Sequence, residues 1–169
     1  MTPAWMDEEI MSNALLSTLR DQILPGHYKM DLGHLVDDDC LLFRKGAYAF
    51  LALPFSKVPP GDYGSKYAKA VIRKAMTCIP FFQEKALFLV YYGRIEDWRD
   101  EAPRFTVDKT ALRPVILQAI HFIDPVTGMN TNSRTHWGPI KFGSYGKLID
   151  QIEMLGQEIQ ERTIIREGS

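Results

Sequence analysis

The chain opens with a hydrophobic pattern of helical period. Between residues 7 and 24 apolar side chains recur every three or four positions, at Ile10, Ala14, Leu15, Leu19 and Ile23, which predicts an amphipathic helix. Acidic residues occupy its first turn, where the helix dipole favours negative charge. The dipeptide Pro25-Gly26 is predicted to end the helix.

Strand-like patterns follow. We expect a short extended segment near residues 27–32, and then a β-hairpin of residues 40–44 and 47–53 around Lys45-Gly46, where Gly46 suits a turn position with positive φ. Two unbroken apolar runs, at 86–92 and 115–123, predict strands buried on both faces. Segment 56–64, with two prolines and two glycines, predicts a loop, and segment 129–139 is predicted to be a second, mobile loop.

Two more helices are predicted downstream. Residues 65–79 carry apolar side chains on one side and basic side chains on the other, and Pro80 ends this pattern. Residues 144–163 form the last helix, with Leu148, Ile152, Leu155 and Ile159 spaced as a two-heptad seam. We interpret the seam as the buried stripe of a packed helix; the alternative is a surface that binds another protein.

The order of elements predicts the fold class. A helix, three strands in an antiparallel meander, a crossover helix and a fourth strand give αβββαβ, followed by C-terminal strands and a helix. We therefore expect an α/β protein with a mixed β-sheet sandwiched by helices, forming a single domain over residues 1–169.

Composition narrows the function classes. Hydrophobic residues make up 46% of the chain and the net charge is −1, so any attraction to nucleic acid must be local. Cys40 and Cys78 both lie in apolar runs, which favours buried free thiols over a disulfide. No signal peptide or membrane span is indicated, so we expect a cytoplasmic protein with no membrane partner.

The four histidines do not indicate a zinc site. None of them lies at metal-ligand spacing from another histidine or a cysteine. His121, inside an apolar strand, is predicted to be a hydrogen-bonded core residue, and Trp137 beside His136 to be a structural anchor. The other two are His27 and His34.

The hairpin carries a resemblance to a known family. Its sequence, DCLLFRKGAYAFLALPFSK from Asp39 to Lys57, together with the αβββαβ order over residues 7–92, resembles the PD-(D/E)XK nuclease-like proteins. In that family an acid opens the second strand, the third strand ends with an acid, any residue and Lys, and an acid on the first helix joins the site. The resemblance implies Mg²⁺ bound by carboxylates, which activates water for phosphodiester hydrolysis.

The catalytic motif is degenerate in this chain. Asp39 matches the first acid, with Asp38 beside it as a second candidate metal ligand, and Glu8 or Glu9 matches the helix acid. The acid-any-Lys position falls on Ala52-Leu53-Pro54, and the next lysine, Lys57, comes three residues late. The resemblance thus implies Glu9, Asp39 and Lys57 as candidate catalytic residues. It also implies a lost metal ligand, so that no cofactor is expected unless the site is active, in which case it would use Mg²⁺.

The basic face of the second predicted helix suggests contacts with phosphate groups of DNA or RNA. The alternative is an ordinary solvated helix surface. The candidate nucleic-acid-binding residues are Lys57, Lys66, Lys69, Arg73 and Lys74.

Three functions stay open at this stage. The first is a non-catalytic nuclease-like domain associated with nucleic acid through the basic helix. The second is a small interaction or regulatory protein, for example of the immunity type, with no nucleic-acid role. The third is a metal-dependent nuclease with a rearranged site. We rank them in that order.

Overall fold

The computed structural model describes residues 3–28, 30–31, 37–76, 85–109, 113–135 and 145–168. Within them the helices are α1 (Ala4–Thr18), α2 (Lys66–Ala75), α3 (Ile95–Trp98) and α4 (Tyr145–Glu167). The strands are β1 (Met30–Asp31), β2 (Leu41–Lys45), β3 (Tyr48–Pro54), β4 (Lys85–Tyr92), β5 (Val115–Ile123) and β6 (Asn130–Arg134).

The strands form one mixed sheet in the order β1-β2-β3-β4-β5-β6. The first three strands are antiparallel neighbours, β3, β4 and β5 run parallel, and β6 returns antiparallel to β5. The segment that contains α2 makes the crossover from β3 to β4, as a parallel connection requires. The predicted meander and crossover are confirmed.

Helices cover both faces of the sheet, because strands β3, β4 and β5 bury side chains on each side. On one face, Phe50, Phe88 and Ile123 belong to a core that includes buried residues of α1 and α4. On the other, Leu51, Leu89 and Phe122 belong to a core that includes α2 and α3. This is the predicted α/β architecture with a mixed sheet between helices.

The hairpin and the first helix match their sequence patterns closely. Gly46 has φ +57° in the tight turn, and β3 ends at Pro54, as expected for a residue without a backbone N–H. Helix α1 starts three residues earlier than predicted and continues as a π-helical turn (Leu19–Ile23) and a 3₁₀ turn (Leu24–Gly26). Ile10 is 56% exposed, so the N-terminal part of the predicted apolar stripe does not reach the core.

The loop prediction for residues 129–139 was wrong over its first half. Asn130–Arg134 pair with β5 as strand β6, with Ile123 opposite Asn130 and Ala119 opposite Arg134. The strand was missed because it is polar on both faces and shows no alternation of apolar residues. A polar edge strand is held by its backbone ladder and not by a hydrophobic pattern.

The seam of α4 is a core stripe. Its four residues are between 0% and 8% exposed and belong to the core that the helix shares with α1 and the sheet. The packed-stripe interpretation is confirmed, and the seam is not available to a second protein. Cys78, predicted to be a buried thiol, and Trp137, predicted to be an anchor, lie outside the described residues, as do His34 and His136.

Candidate functional site

The end of the hairpin brings together two of the candidate residues, Asp39 and Lys57. Leu41 faces Ala52 in the ladder, and the same register carried two residues further sets Asp39 opposite Pro54. After Pro54 the chain turns through a 3₁₀ segment, Phe55–Lys57. Lys57 thereby reaches back, and its Nζ lies 2.7 Å from Oδ1 of Asp39. The 3₁₀ turn after β3 thus places a lysine beside Asp39, although β3 itself contains no lysine.

Lys57 also binds a second carboxylate. Its Nζ lies 2.8 Å from Oδ2 of Asp37, so one ammonium group bridges two acids. The hydrogen bonds that Lys57 donates to Asp37 and Asp39 raise the pKa of Lys57, and the bond to Asp37 lowers the pKa of that carboxyl. Lys57 is therefore a fixed positive charge and not a proton acceptor. We call Asp37, Asp39 and Lys57 the ion cluster.

The residues of the ion cluster do not fit a magnesium ion. Mg²⁺ needs free carboxylate oxygens, and here the Lys57 ammonium occupies the space between the two acids. Among the described residues no group of three or more His, Cys, Asp or Glu side chains is arranged to hold a metal. Asp38, the other candidate ligand, is exposed in the turn before β2.

Cys40, next to the ion cluster, is the free buried thiol that the sequence predicts. Burial, reinforced by the charge of Asp39, raises its pKa to about 12. Its Sγ lies 3.5 Å from Oδ1 of Asp39, with the thiol as donor. Because the thiolate is the nucleophilic form, Cys40 is inert at neutral pH.

The candidate acids of the first helix line a different, adjoining cleft. Glu8 and Glu9 face the carboxyl ends of β3 and β4 across a cleft of about 210 Å³, together with Asp97. Tyr92 lines the same cleft, and its hydroxyl donates a hydrogen bond to the backbone carbonyl of Asp39. The structure thus places the first-helix acids beside the ion cluster, but the carboxylates of Glu8 and Glu9 do not join its hydrogen bonds.

The N-terminus of helix α2 is capped by the carboxylate of Asp62. Asp62 accepts hydrogen bonds from the backbone N–H groups of Lys66 at 2.8 Å and Tyr67 at 3.0 Å. These are two of the donors that a phosphate would otherwise use. These two backbone N–H groups are already hydrogen-bonded, so we expect contacts with phosphate to come from side chains.

Lys69 of the basic helix is engaged in a nearly buried ion pair. Its Nζ lies 3.0 Å from Oδ1 and 2.8 Å from Oδ2 of Asp108, and the two side chains are only 12% and 10% exposed. Asp108 also accepts a hydrogen bond from the backbone N–H of Leu117 at 2.8 Å. Lys69 therefore joins α2 to the segment before β5. The sequence predicted an exposed lysine that could contact phosphate, whereas the Lys69 side chain is largely buried.

The same ion pair brings two further basic residues to the helix. Lys109 follows Asp108 directly and is exposed, and Arg113 approaches Oδ1 of Asp108 at 3.7 Å with its Nε. Sequence reasoning missed both, since nothing local links residues 109–113 to α2. We call the exposed cations here the α2 surface: Lys66, Arg73, Lys74, Lys109 and Arg113.

A larger cleft lies beside β6, where sequence reasoning expected only a loop. It has a volume of about 460 Å³ and is bounded by residues 129–133, the face of β5 and the α3 segment. Its floor includes the aromatic rings of Trp98, Phe105 and Phe122. The aromatic residues were visible in the sequence, but only the fold shows that they converge on an edge strand.

His121 is a core residue, as predicted. Its Nε2 lies 3.2 Å from Oδ1 of Asn130, while Nδ1 has no hydrogen-bond partner. Burial lowers its pKa to about 4, so the ring is neutral at pH 7. Its position deep under α4 gives it no access to a substrate.

No described helix combines the length and the apolar character that crossing a membrane requires. Comparison of the chain with protein-family models, with curated proteins and with solved structures found no match.

Proposed function

We propose that this protein is a non-catalytic α/β domain of nuclease-like layout that associates with nucleic acid through the α2 surface. The observation that carries the non-catalytic part is the position of Lys57. Its ammonium group lies within 2.8 Å of both Asp37 and Asp39, at the end of the hairpin where the resemblance implies a metal.

The argument against turnover is one of charge and ligand number. A hydrolytic Mg²⁺ requires several oxygen ligands and open positions for water and phosphate. Lys57 occupies one oxygen of each of Asp37 and Asp39, and the third strand carries Ala52 where the family's pattern has its second acid and Pro54 where it has the lysine. Lys57 cannot act as a base, because its pKa is raised by the two carboxylates.

The argument for nucleic acid rests on the exposed cations that remain. Lys66 and Arg73 are seven residues apart on α2, which sets them about 10 Å apart along the helix axis on one face. Arg113 contacts Asp108, the partner of Lys69, and Lys109 is the exposed residue after Asp108, so both add positive charge beside α2. Of the nearby carboxylates that the structure describes, Asp108 is paired with Lys69 and Asp37 with Lys57, so only Asp62 sets its charge against the five cations. A local positive surface is thereby formed on a nearly neutral protein.

The test is binding of a fluorescent 20-base-pair DNA duplex and of a 20-nucleotide RNA strand, measured by anisotropy from 50 to 200 mM salt. We expect affinity to fall steeply with salt, because each phosphate contact contributes a slope of about −0.9 on duplex DNA. The double variant Lys66→Ala/Arg73→Ala should flatten that slope by about 2. Lys69 is left intact, since its loss would also affect folding.

A matched control removes two exposed cations from the other face of the sheet. Lys147 and Arg162 are both exposed on α4, and Lys147→Ala/Arg162→Ala changes the net charge equally. This variant should bind like the unaltered protein. Equal losses in both double variants would show that only net charge matters, and absence of binding at 50 mM salt would leave no nucleic-acid role.

Catalysis is tested separately with supercoiled plasmid and Mg²⁺ or Mn²⁺. We expect no cleavage above the background of an Asp39→Ala preparation. Metal-dependent cleavage that disappears in Asp39→Ala would instead establish a nuclease with a rearranged site, whether or not the α2 surface binds DNA.

A second candidate function is that of an interaction protein without a nucleic-acid role. It is favoured by the 460 Å³ cleft with an aromatic floor beside β6, whose lining includes no residue of the α2 surface. This function stands if the binding test fails and a protein ligand is found for the cleft.

A further inference from the structure

Along one side of strand β6 the backbone groups have no partner among the residues that the structure describes. Two hydrogen bonds flank the ladder between β5 and β6, both at 2.8 Å. The N–H of Asp124, after β5, donates to the carbonyl of Met129, before β6. The N–H of Thr135, after β6, donates to the carbonyl of Gln118 in β5. In an antiparallel pair, residues alternate between facing the partner and facing away. Asn130, Asn132 and Arg134 therefore direct their N–H and C=O groups away from β5. Within the described part of the chain, β6 is the last strand of the sheet.

The cleft lies directly along this strand. Five successive residues, 129–133, form one wall, so an added strand on β6 would run past its mouth. The floor residues are packed on one another: Trp98 donates from Nε1 to the carbonyl of Gly93 at 2.9 Å, and its ring centroid lies 5.7 Å from that of Phe122. Phe105 packs on the same ring, with centroids 5.3 Å apart.

The chemistry of the cleft wall indicates what would enter it. Its apolar floor suits one bulky apolar side chain, and Arg99, which is exposed, is the single charged residue in the lining that the structure describes. Thr131 and Ser133 line the β6 side with hydroxyl groups. An extended peptide offers an apolar side chain, main-chain hydrogen bonds and, in a neighbouring position, an acid for Arg99.

We propose that β6 is a docking site for an extended, acidic-apolar peptide segment of another protein, which adds a strand to the sheet and inserts one apolar side chain into the cleft. A second copy of this chain fits less well. Pairing of β6 with β6 would bring only Asn, Thr, Ser and Arg side chains to the cleft, and the aromatic floor would stay uncovered. This inference does not depend on nucleic-acid binding.

The probe is a phage-displayed library of random nine-residue peptides, selected on the full chain and followed by synthesis of an enriched peptide for anisotropy. We expect enriched sequences that alternate apolar and polar residues and contain Asp or Glu. An Arg99→Glu variant should bind such a peptide at least fivefold more weakly.

The decisive pair of variants is Asn132→Pro and Asn132→Ala. Both lose the side-chain hydrogen bond from Asn132 to Glu153, but only proline removes the outward N–H. Proline is tolerated at an edge position whose N–H faces solvent, and circular dichroism checks that both variants fold. We expect binding at least tenfold weaker for Asn132→Pro than for Asn132→Ala.

Hydrogen exchange gives an independent readout. In the free protein the amide of Asn132 should exchange at least tenfold faster than those of Thr131 and Ser133, and the enriched peptide should slow it. Equal binding by the two Asn132 variants, an Asn132 amide already protected in the monomer, or failure to enrich any peptide would overturn the proposal. A dimer that Asn132→Pro dissolves would also overturn it, in favour of a second copy.

Discussion

The ion pair between Lys69 and Asp108 decides whether Lys69 supports the fold or contacts phosphate. We predict that Lys69→Met is strongly destabilising. The lysine contacts both carboxylate oxygens within 3.0 Å, and both side chains are about nine-tenths buried. Removing one partner of a buried pair costs about 3–5 kcal/mol because the other charge is left buried.

The expected loss in this site is somewhat smaller. Asp108 would keep the hydrogen bond from the Leu117 N–H and the nearby guanidinium of Arg113. We therefore expect Lys69→Met to lower the free energy of unfolding by about 2–3 kcal/mol. For a domain of this length that corresponds to a fall in Tm of about 4–12 °C.

Urea denaturation of five proteins measures the effect. Lys66→Met, an exposed lysine one turn earlier on α2, is the control and should cost less than about 0.5 kcal/mol. Asp108→Asn and the double variant Lys69→Met/Asp108→Asn complete a double-mutant cycle, in which the double variant should recover part of the loss, with a coupling of about 1–3 kcal/mol. If Lys69→Met were no worse than Lys66→Met, the ion pair would not be structural and Lys69 would return to the phosphate-binding candidates.

Two further predictions concern the contact of β6 with α4. Gly156→Ala should lower the free energy of unfolding by about 1–3 kcal/mol, because a Cβ there would lie 2.3 Å from Nδ2 of Asn130 and 2.7 Å from the carbonyl of Gly128. Gly146→Ala on the same helix, whose Cβ would meet nothing closer than 4.0 Å, should be neutral or stabilising; thermal denaturation of both variants checks this, and equal effects would refute the steric argument. His121, with a folded-state pKa of about 4 against 6.5 when unfolded, takes up its proton first in the unfolded chain as pH falls. The free energy of unfolding should then drop by about 1.4 kcal/mol per pH unit between about pH 6.5 and pH 4; His121→Gln should lose this slope, and an unchanged slope would contradict the burial argument.

Gly156 shows how a local interpretation can miss a tertiary cause. From the sequence alone, glycine inside a predicted helix indicates only a helix that is less stable by about 1 kcal/mol than one with alanine there. In the fold it lies against the turn of Gly128, whose own Cβ would come 2.1 Å from the carbonyl of Gly156. The two glycines allow the β5–β6 turn to pack directly on α4.

The buried elements of this protein were predictable from its sequence alone. The strands at 86–92 and 115–123, the hairpin around Gly46 and the stripe of the last helix all follow from hydrophobic periods and turn residues. These patterns are local, and burial enforces them, because an apolar side chain must leave water in whichever element contains it. The αβββαβ order and the mixed sheet between helices then follow from few connection rules.

The tertiary structure alone decided which charges are free. Nothing in the sequence distinguishes Lys57 and Lys69 from Lys66 and Lys74. In the fold, Lys57 and Lys69 form ion pairs with carboxylates 18 to 39 residues away in the chain. Strand β6 was equally invisible, because a polar edge strand depends on the ladder of its neighbour. The hydrophobic periodicity of a sequence indicates which residues are buried. Ion pairs and the pairing of an edge strand depend instead on which distant segments come into contact, and those contacts form only in the folded chain.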